Sequence, residues 1–107
     1  MLLPADRGIA ALAFAFAALL FCGSAAAADA KSGHQLAQRW CSGCHAVEAN
    51  RASDKAPPFE VIARRPSSTP EHLRAWLSTP HDVMPDLSLS RQDIESIIAY
   101  MEQLRDG

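Results

Sequence analysis

The sequence contains few cysteines, few aromatic residues and no long run of one charge. Its 107 residues include 3 cysteines, and aromatic residues make up 7% of the chain. Three cysteines are too few for the disulfide framework of a small secreted domain. The net charge of -2 at pH 7 and the absence of a polybasic stretch argue against a nucleic-acid partner. Neither an alternating strand pattern nor an internal repeat occurs, which favours one all-α domain.

The first 28 residues have the three-part pattern of a secretory signal peptide. A short start carries Arg7, an apolar run follows from Ile9 to Phe21, and the segment ends in alanines. That run is shorter than the roughly 20 residues that cross a bilayer, which disfavours a retained membrane anchor. We therefore predict cleavage of residues 1–28 near Ala28, export to the periplasm, and a folded domain over residues 29–107.

Cleavage would remove Cys22 and leave only Cys41 and Cys44. A disulfide between residues so close in sequence closes a small loop and stabilises little. A domain of this length buries a small core and usually needs a metal, a cofactor or disulfides. The segment WCSGCHAV at residues 40–47 places both thiols beside His45, and we therefore expect a larger group to bind there.

Three kinds of site use two cysteines at this spacing. A thioredoxin-type dithiol belongs on a βαβ scaffold, which the helical pattern here does not offer. A structural zinc site needs four ligands, and the remaining histidines lack finger-like spacing. The third is C-x-x-C-H attachment of one haem c, and this is the site that we predict. In it, Cys41 and Cys44 form thioethers with the two vinyl groups, and His45 binds the iron.

The second axial ligand determines whether the iron binds small molecules or only transfers electrons. The candidates are two methionines and three histidines: Met84, Met101, His34, His72 and His81. Met101 lies on an apolar helix stripe, where a core methionine is the commoner explanation. Met84 precedes Pro85 in a predicted loop, and a loop can reach over the far face of a haem. We predict Met84 as the ligand, with His81 as its rival.

Apolar spacing and capping signals predict three main helices. The first runs from about Lys31 into the cysteine motif, and its apolar residues at helical spacing are Leu36, Ala37 and Trp40. The second spans about Pro70 to Ser78 behind an N-cap at Thr69. Its apolar face contains Leu73, Trp76 and Leu77.

The third helix has the clearest signals. It begins at Arg91 behind the N-cap Ser90, Asp93 completes a capping box, and the helix runs to about Leu104. Its apolar stripe consists of Ile94, Ile97, Ile98, Met101 and Leu104. Residues 49–68 are predicted to form a loop with one short turn around residues 59–64.

The segments CSGCH and MPDLSLSRQDIESIIAYMEQL together resemble small bacterial monohaem cytochromes c of class I. The resemblance covers essentially all of residues 29–107. It implies a cytochrome c-like fold, with three main helices wrapped around one covalently attached haem. It also implies that Gly33 lets the first and last helices cross closely, with Ile97 and Tyr100 as contacts. Where the family has an aromatic residue four positions before the first cysteine, this chain has Ala37.

The resemblance also assigns roles near the haem. The segment APPF at residues 56–59 resembles the family's proline segment, so the carbonyl of Pro57 would accept a hydrogen bond from Nδ1 of His45. The alternative is that this segment is only a rigid loop. Trp76 would either donate its indole N–H to a haem propionate or simply pack.

The predicted function is one-electron transfer without enzymatic activity. The expected partners are periplasmic or membrane-bound redox proteins, and no small-molecule substrate is expected. Two alternatives stay open. One is a haem c electron-transfer subunit of a periplasmic dehydrogenase complex, which has the same size and motif. The other is an open-site haem enzyme or gas sensor, which Met84 disfavours.

Overall fold

The computed structural model describes residues 28–79 and 83–107. Within these ranges the chain forms helices and no strand, and the helices are α1 Ala30–Trp40, α2 Phe59–Ala63, α3 Pro70–Ser78 and α4 Arg91–Asp106. The predicted all-α class is confirmed, and α2 occupies the predicted short turn. No helix in the described ranges is both long and apolar enough to span a membrane. Residues 1–27 of the predicted signal peptide lie outside the described residues, as does His81.

The predicted caps of α3 and α4 make the expected hydrogen bonds. Thr69 Oγ1 accepts a bond from the backbone N–H of His72 at 3.1 Å. Ser90 Oγ accepts from Asp93 N at 3.0 Å, and Asp93 Oδ2 accepts from Ser90 N at 3.2 Å. These bonds satisfy N–H groups that the first turn of a helix leaves without partners. Local sequence therefore determines where α3 and α4 begin.

The helices α1 and α4 cross in close contact at Gly33. A Cβ atom on this residue would lie 1.8 Å from the carbonyl oxygen of Ser96, a distance that no side chain tolerates. Beside the crossing, the side chain of Ile97 has 0% of its surface exposed. The predicted role of Gly33 is confirmed, because only a residue without a side chain lets the two backbones approach this closely.

The buried stripe of α1 contains Gly33, Ala37 and Cys41, which are spaced by four residues. Trp40 lies to one side of this stripe and is 52% exposed. Leu36 is partly buried against the core. From α4, the stripe that was predicted is buried: Ile94, Ile97, Ile98, Met101 and Leu104.

Side-chain contacts attach the segment after the cysteine motif to both long helices. Tyr100 of α4 donates its hydroxyl to the carbonyl of Val47 at 2.7 Å and stacks on the ring of His34, with centroids 4.5 Å apart. Glu48 Oε1 accepts from His34 Nε2 at 2.7 Å and from Gln38 Nε2 at 2.8 Å. The hydrogen bond from His34, followed by that from Gln38, holds the pKa of Glu48 below its ordinary value of 4.5.

Replacing Gly33 by alanine should destabilise the folded holoprotein by about 3 kcal/mol, because the helices must separate to admit a methyl group. The gain in helix propensity is at most about 1 kcal/mol and does not offset this. Urea unfolding gives the free energy. Gly43→Ala is the matched control, because a Cβ there would meet no atom within 4 Å. Equal stabilities of the two variants would contradict the close crossing.

Replacing Glu48 by glutamine should lower stability at neutral pH but not in strong acid. The pKa of Glu48 is lower in the folded chain than in the unfolded one. The ionised carboxylate therefore stabilises the fold at any pH above its pKa in the unfolded chain. This stabilisation disappears as the pH falls through its pKa in the folded chain. The difference in unfolding free energy between variant and wild type should therefore shrink below pH 4.5. Glu102→Gln is the control, since the described residues offer Glu102 no hydrogen bond or ion pair. A difference that stays constant with pH would refute this.

Candidate functional site

The two cysteines and His45 lie in one turn of backbone that continues from α1. Cys41 is the C-cap of α1, and its N–H donates to the carbonyl of Ala37 at 2.8 Å. The carbonyl of Cys41 then accepts from Cys44 N at 3.2 Å and from His45 N at 2.9 Å. The motif is thus a hydrogen-bonded turn directly after α1, and it holds both cysteines and His45 within one short stretch of backbone.

The two thiols differ in environment. Cys41 is buried and Cys44 is exposed, and their sulfur atoms are not bonded to one another. Burial raises the pKa of the Cys41 thiol to about 11, because a low-dielectric environment disfavours the thiolate. A catalytic dithiol depends on a lowered pKa. The environment of Cys41 therefore favours a buried point of attachment over a redox-active dithiol.

His45 is oriented by a backbone carbonyl. Its Nδ1 lies 2.7 Å from the carbonyl oxygen of Pro57, and the edge of its ring meets Phe59, with centroids 5.4 Å apart. Because a carbonyl can only accept, Nδ1 carries a proton, and in the neutral imidazole Nε2 then has the lone pair. The contact that the resemblance implied for Pro57 is present, and it gives His45 the tautomer and orientation of a metal ligand.

Met84 lies outside the helices, next to Trp76. The two side chains line a shallow hollow together with Leu77 and Leu89. Trp76 is 48% exposed and stacks on the ring of His72, with centroids 6.2 Å apart. The role of Trp76 toward the haem stays a prediction.

Met101 lies in the core on α4, whereas Met84 lies outside the helices. Its side chain is 4% exposed and belongs to the core stripe of α4, as the apolar spacing indicated. The thioether of Met101 therefore packs against apolar side chains of the core. The burial of Met101 agrees with its predicted place in the core, and Met84 stays the predicted ligand.

The donor groups of the site suit haem c. Two thiols on one turn match the attachment to two vinyl groups, and an imidazole with its lone pair on Nε2 matches an axial position. Among the described residues, no group of three or more histidine, cysteine, aspartate or glutamate side chains is arranged to hold a metal ion. The two thiols and the imidazole of the motif fit a porphyrin iron with one axial histidine.

Comparison with known proteins agrees with this donor set. The family model described as "Cytochrome C oxidase, cbb3-type, subunit III" matches residues 28–101. The chain belongs to the c-type cytochromes. It is 45% identical to cytochrome c-552 of Bradyrhizobium diazoefficiens over 84 residues, which cover 77% of this chain and 81% of that one. The chain is thus a small bacterial monohaem electron carrier, with haem c bound covalently through its one C-x-x-C-H motif.

A second relative is much longer than this cytochrome. Cytochrome c oxidase subunit 2 of Alkalihalophilus pseudofirmus is 35% identical over 77 residues, which cover 61% of this chain and 22% of that protein. The similarity is therefore confined to one module of the larger subunit. No solved structure gives a significant match.

The structure also reveals contacts around the motif that the sequence did not predict. Ser53 Oγ donates to the carbonyl of Cys44 at 2.8 Å, and Glu60 Oε2 accepts from the N–H of Asn50 at 2.6 Å. Both pairs join residues nine or ten positions apart across an irregular segment. No periodic or capping pattern marks such pairs, so only the path of the folded loop identifies them.

Replacing either Cys41 or Cys44 by alanine should reduce the yield of folded, haem-containing protein several-fold, because the haem completes a small core. The pyridine haemochrome absorbance of the cell extract, normalised to total chain by immunoblot, measures this. Ser42→Ala is the control in the same turn, since Ser42 is exposed and only donates its hydroxyl to the carbonyl of Gln38. Normal yields of compact, colourless cysteine variants would contradict the expectation.

Proposed function

We propose that this cytochrome is exported to the periplasm and carries single electrons between redox proteins, with His45 and Met84 as the axial ligands of its iron. The observation that carries the proposal is the 2.7 Å contact between His45 Nδ1 and the Pro57 carbonyl. It leaves Nε2 as the ligating nitrogen and fixes the ring. When bound, the haem supplies a one-electron couple between Fe(II) and Fe(III).

The protein's contribution is to keep both ligands in place in either oxidation state. His45 is held by its own turn of backbone and by Pro57. Met84 is followed by Pro85, which restricts the backbone at Met84 to extended conformations. A thioether is a soft ligand that favours Fe(II), so Met84 would raise the reduction potential relative to a second imidazole. With both positions filled by protein, no position remains for a substrate, which supports a carrier over an enzyme.

The similarity to a module of an oxidase subunit supports membrane-bound or periplasmic oxidoreductases as partners. It also favours one second candidate, namely a subunit held permanently in a larger redox complex, such as a periplasmic dehydrogenase. Gel filtration of a native extract separates the two, because a free carrier elutes at the size of the single chain. Electron carriers meet their partners through small interfaces that dissociate quickly.

Replacing Met84 by alanine should abolish the weak far-red charge-transfer band that marks an iron–thioether bond in the oxidised protein. The same variant should have a lower reduction potential, because the ligand that favours Fe(II) is lost. The measurements are an absorption spectrum and a redox titration. His81→Ala is the matched control, since His81 lies three residues earlier and is the rival ligand. A wild-type protein that lacks this band, with a reduction potential that changes in His81→Ala but not in Met84→Ala, would assign the ligand to His81 instead.

A further inference from the structure

The segment between His45 and α2 is irregular, yet it must deliver the Pro57 carbonyl to His45. It begins with Ala46, whose carbonyl accepts from the N–H of Phe59 at 2.9 Å. This bond closes the base of a loop, residues 46–59, with Pro57 beside the closure. One hydrogen bond at its base does not fix a loop of this length, because the intervening residues keep their conformational entropy. Further contacts must therefore restrain the loop.

Glu60, the second residue of α2, provides such a contact with both carboxylate oxygens. Its Oε2 accepts from the backbone N–H of Asn50 at 2.6 Å, and its Oε1 pairs with Arg64 at 3.0 Å. The side chain of Glu60 is 18% exposed while that of Arg64 is 51% exposed. The hydrogen bond to Asn50 is charge-assisted and partly shielded from water, which makes it stronger than an ordinary surface contact.

The residue that Glu60 binds has an unfavourable backbone conformation. Asn50 has a φ of 60°, in the left-handed region that non-glycine residues adopt rarely, although asparagine adopts it more readily than most. Such a conformation persists only where the surroundings hold it. The carboxylate of Glu60 receives the N–H of Asn50 itself, so it stabilises this reversal of the chain and thereby the loop that carries Pro57.

We infer that Glu60 is a positioning residue for the haem ligand, acting through Asn50 and the loop on the bond between the Pro57 carbonyl and His45. This inference rests on the proposed ligation of iron by His45. A firmly held carbonyl makes the imidazole a more basic ligand, which stabilises Fe(III) relative to Fe(II). Loosening the loop should therefore weaken the bond at Nδ1, raise the reduction potential and speed exchange of the Nδ1 proton with solvent.

The test compares Glu60→Ala with Glu60→Gln in the holoprotein. Both remove the charge, but the glutamine amide oxygen can still accept from Asn50. We expect the Nδ1 proton of His45, followed by NMR in the reduced protein, to exchange roughly tenfold faster in the alanine variant than in the glutamine variant, as loss of one ordinary hydrogen bond to the Asn50 N–H implies. The reduction potential should also be higher in Glu60→Ala than in Glu60→Gln.

Glu95→Ala and Glu95→Gln serve as the matched pair elsewhere in the fold. Glu95 binds the guanidinium of Arg74 and makes no contact with the loop, so its two variants should agree in exchange rate and potential. Identical exchange rates and reduction potentials in Glu60→Ala and Glu60→Gln would overturn this inference and leave the proposed function unaffected. A wild-type protein in which His45 shows no NMR signature of iron ligation would overturn the proposed function together with the inference.

Discussion

The close approach of α1 to α4 at Gly33 determines where the cysteine motif lies. With no side chain at that residue, the backbone of α1 rests against the carbonyl of Ser96. Ala37 and Cys41 follow on the same stripe and are buried in turn. The motif then follows α1 directly as a hydrogen-bonded turn. The contact between two helices far apart in sequence thus fixes the position of both thioether bonds and of His45.

The core formed by the described residues is small, and a covalently attached haem adds apolar surface to it. Apolar burial in the described residues comes mainly from one face of α4 and the stripe of α1. The large side chains of Trp40 and Trp76 stay about half exposed. An apolar cofactor joined to the chain supplies packing surface that a domain of this length lacks. Its loss therefore removes part of the core as well as the redox centre.

The irregular segment between the motif and α2 carries the Pro57 carbonyl that orients His45. Val47 is fastened by the hydroxyl of Tyr100, and the neighbouring Glu48 is bonded to His34. Beyond these, Asn50 is held in a left-handed conformation by Glu60. Successive bonds to α4, α1 and α2 thus hold a segment with no regular structure of its own, and the bonds to Val47 and Asn50 satisfy backbone groups that a helix would otherwise pair. Pro57 follows these bonded residues in the same segment, and its carbonyl contacts His45.

The sequence by itself determined the features that depend on neighbouring residues. The spacing of Cys41, Cys44 and His45 defines the attachment chemistry, and the Ser90–Asp93 capping box and the apolar stripe define α4, since helix periodicity and capping act over a few positions. Family resemblance added the pairing of His45 with Pro57. Only the tertiary structure decided that Trp40 is exposed, that Ser53 and Glu60 hold the loop, and that Met84 shares a hollow with Trp76. These outcomes depend on which distant segments meet. An irregular loop has no periodic residue pattern in the sequence, so its path cannot be predicted from such a pattern.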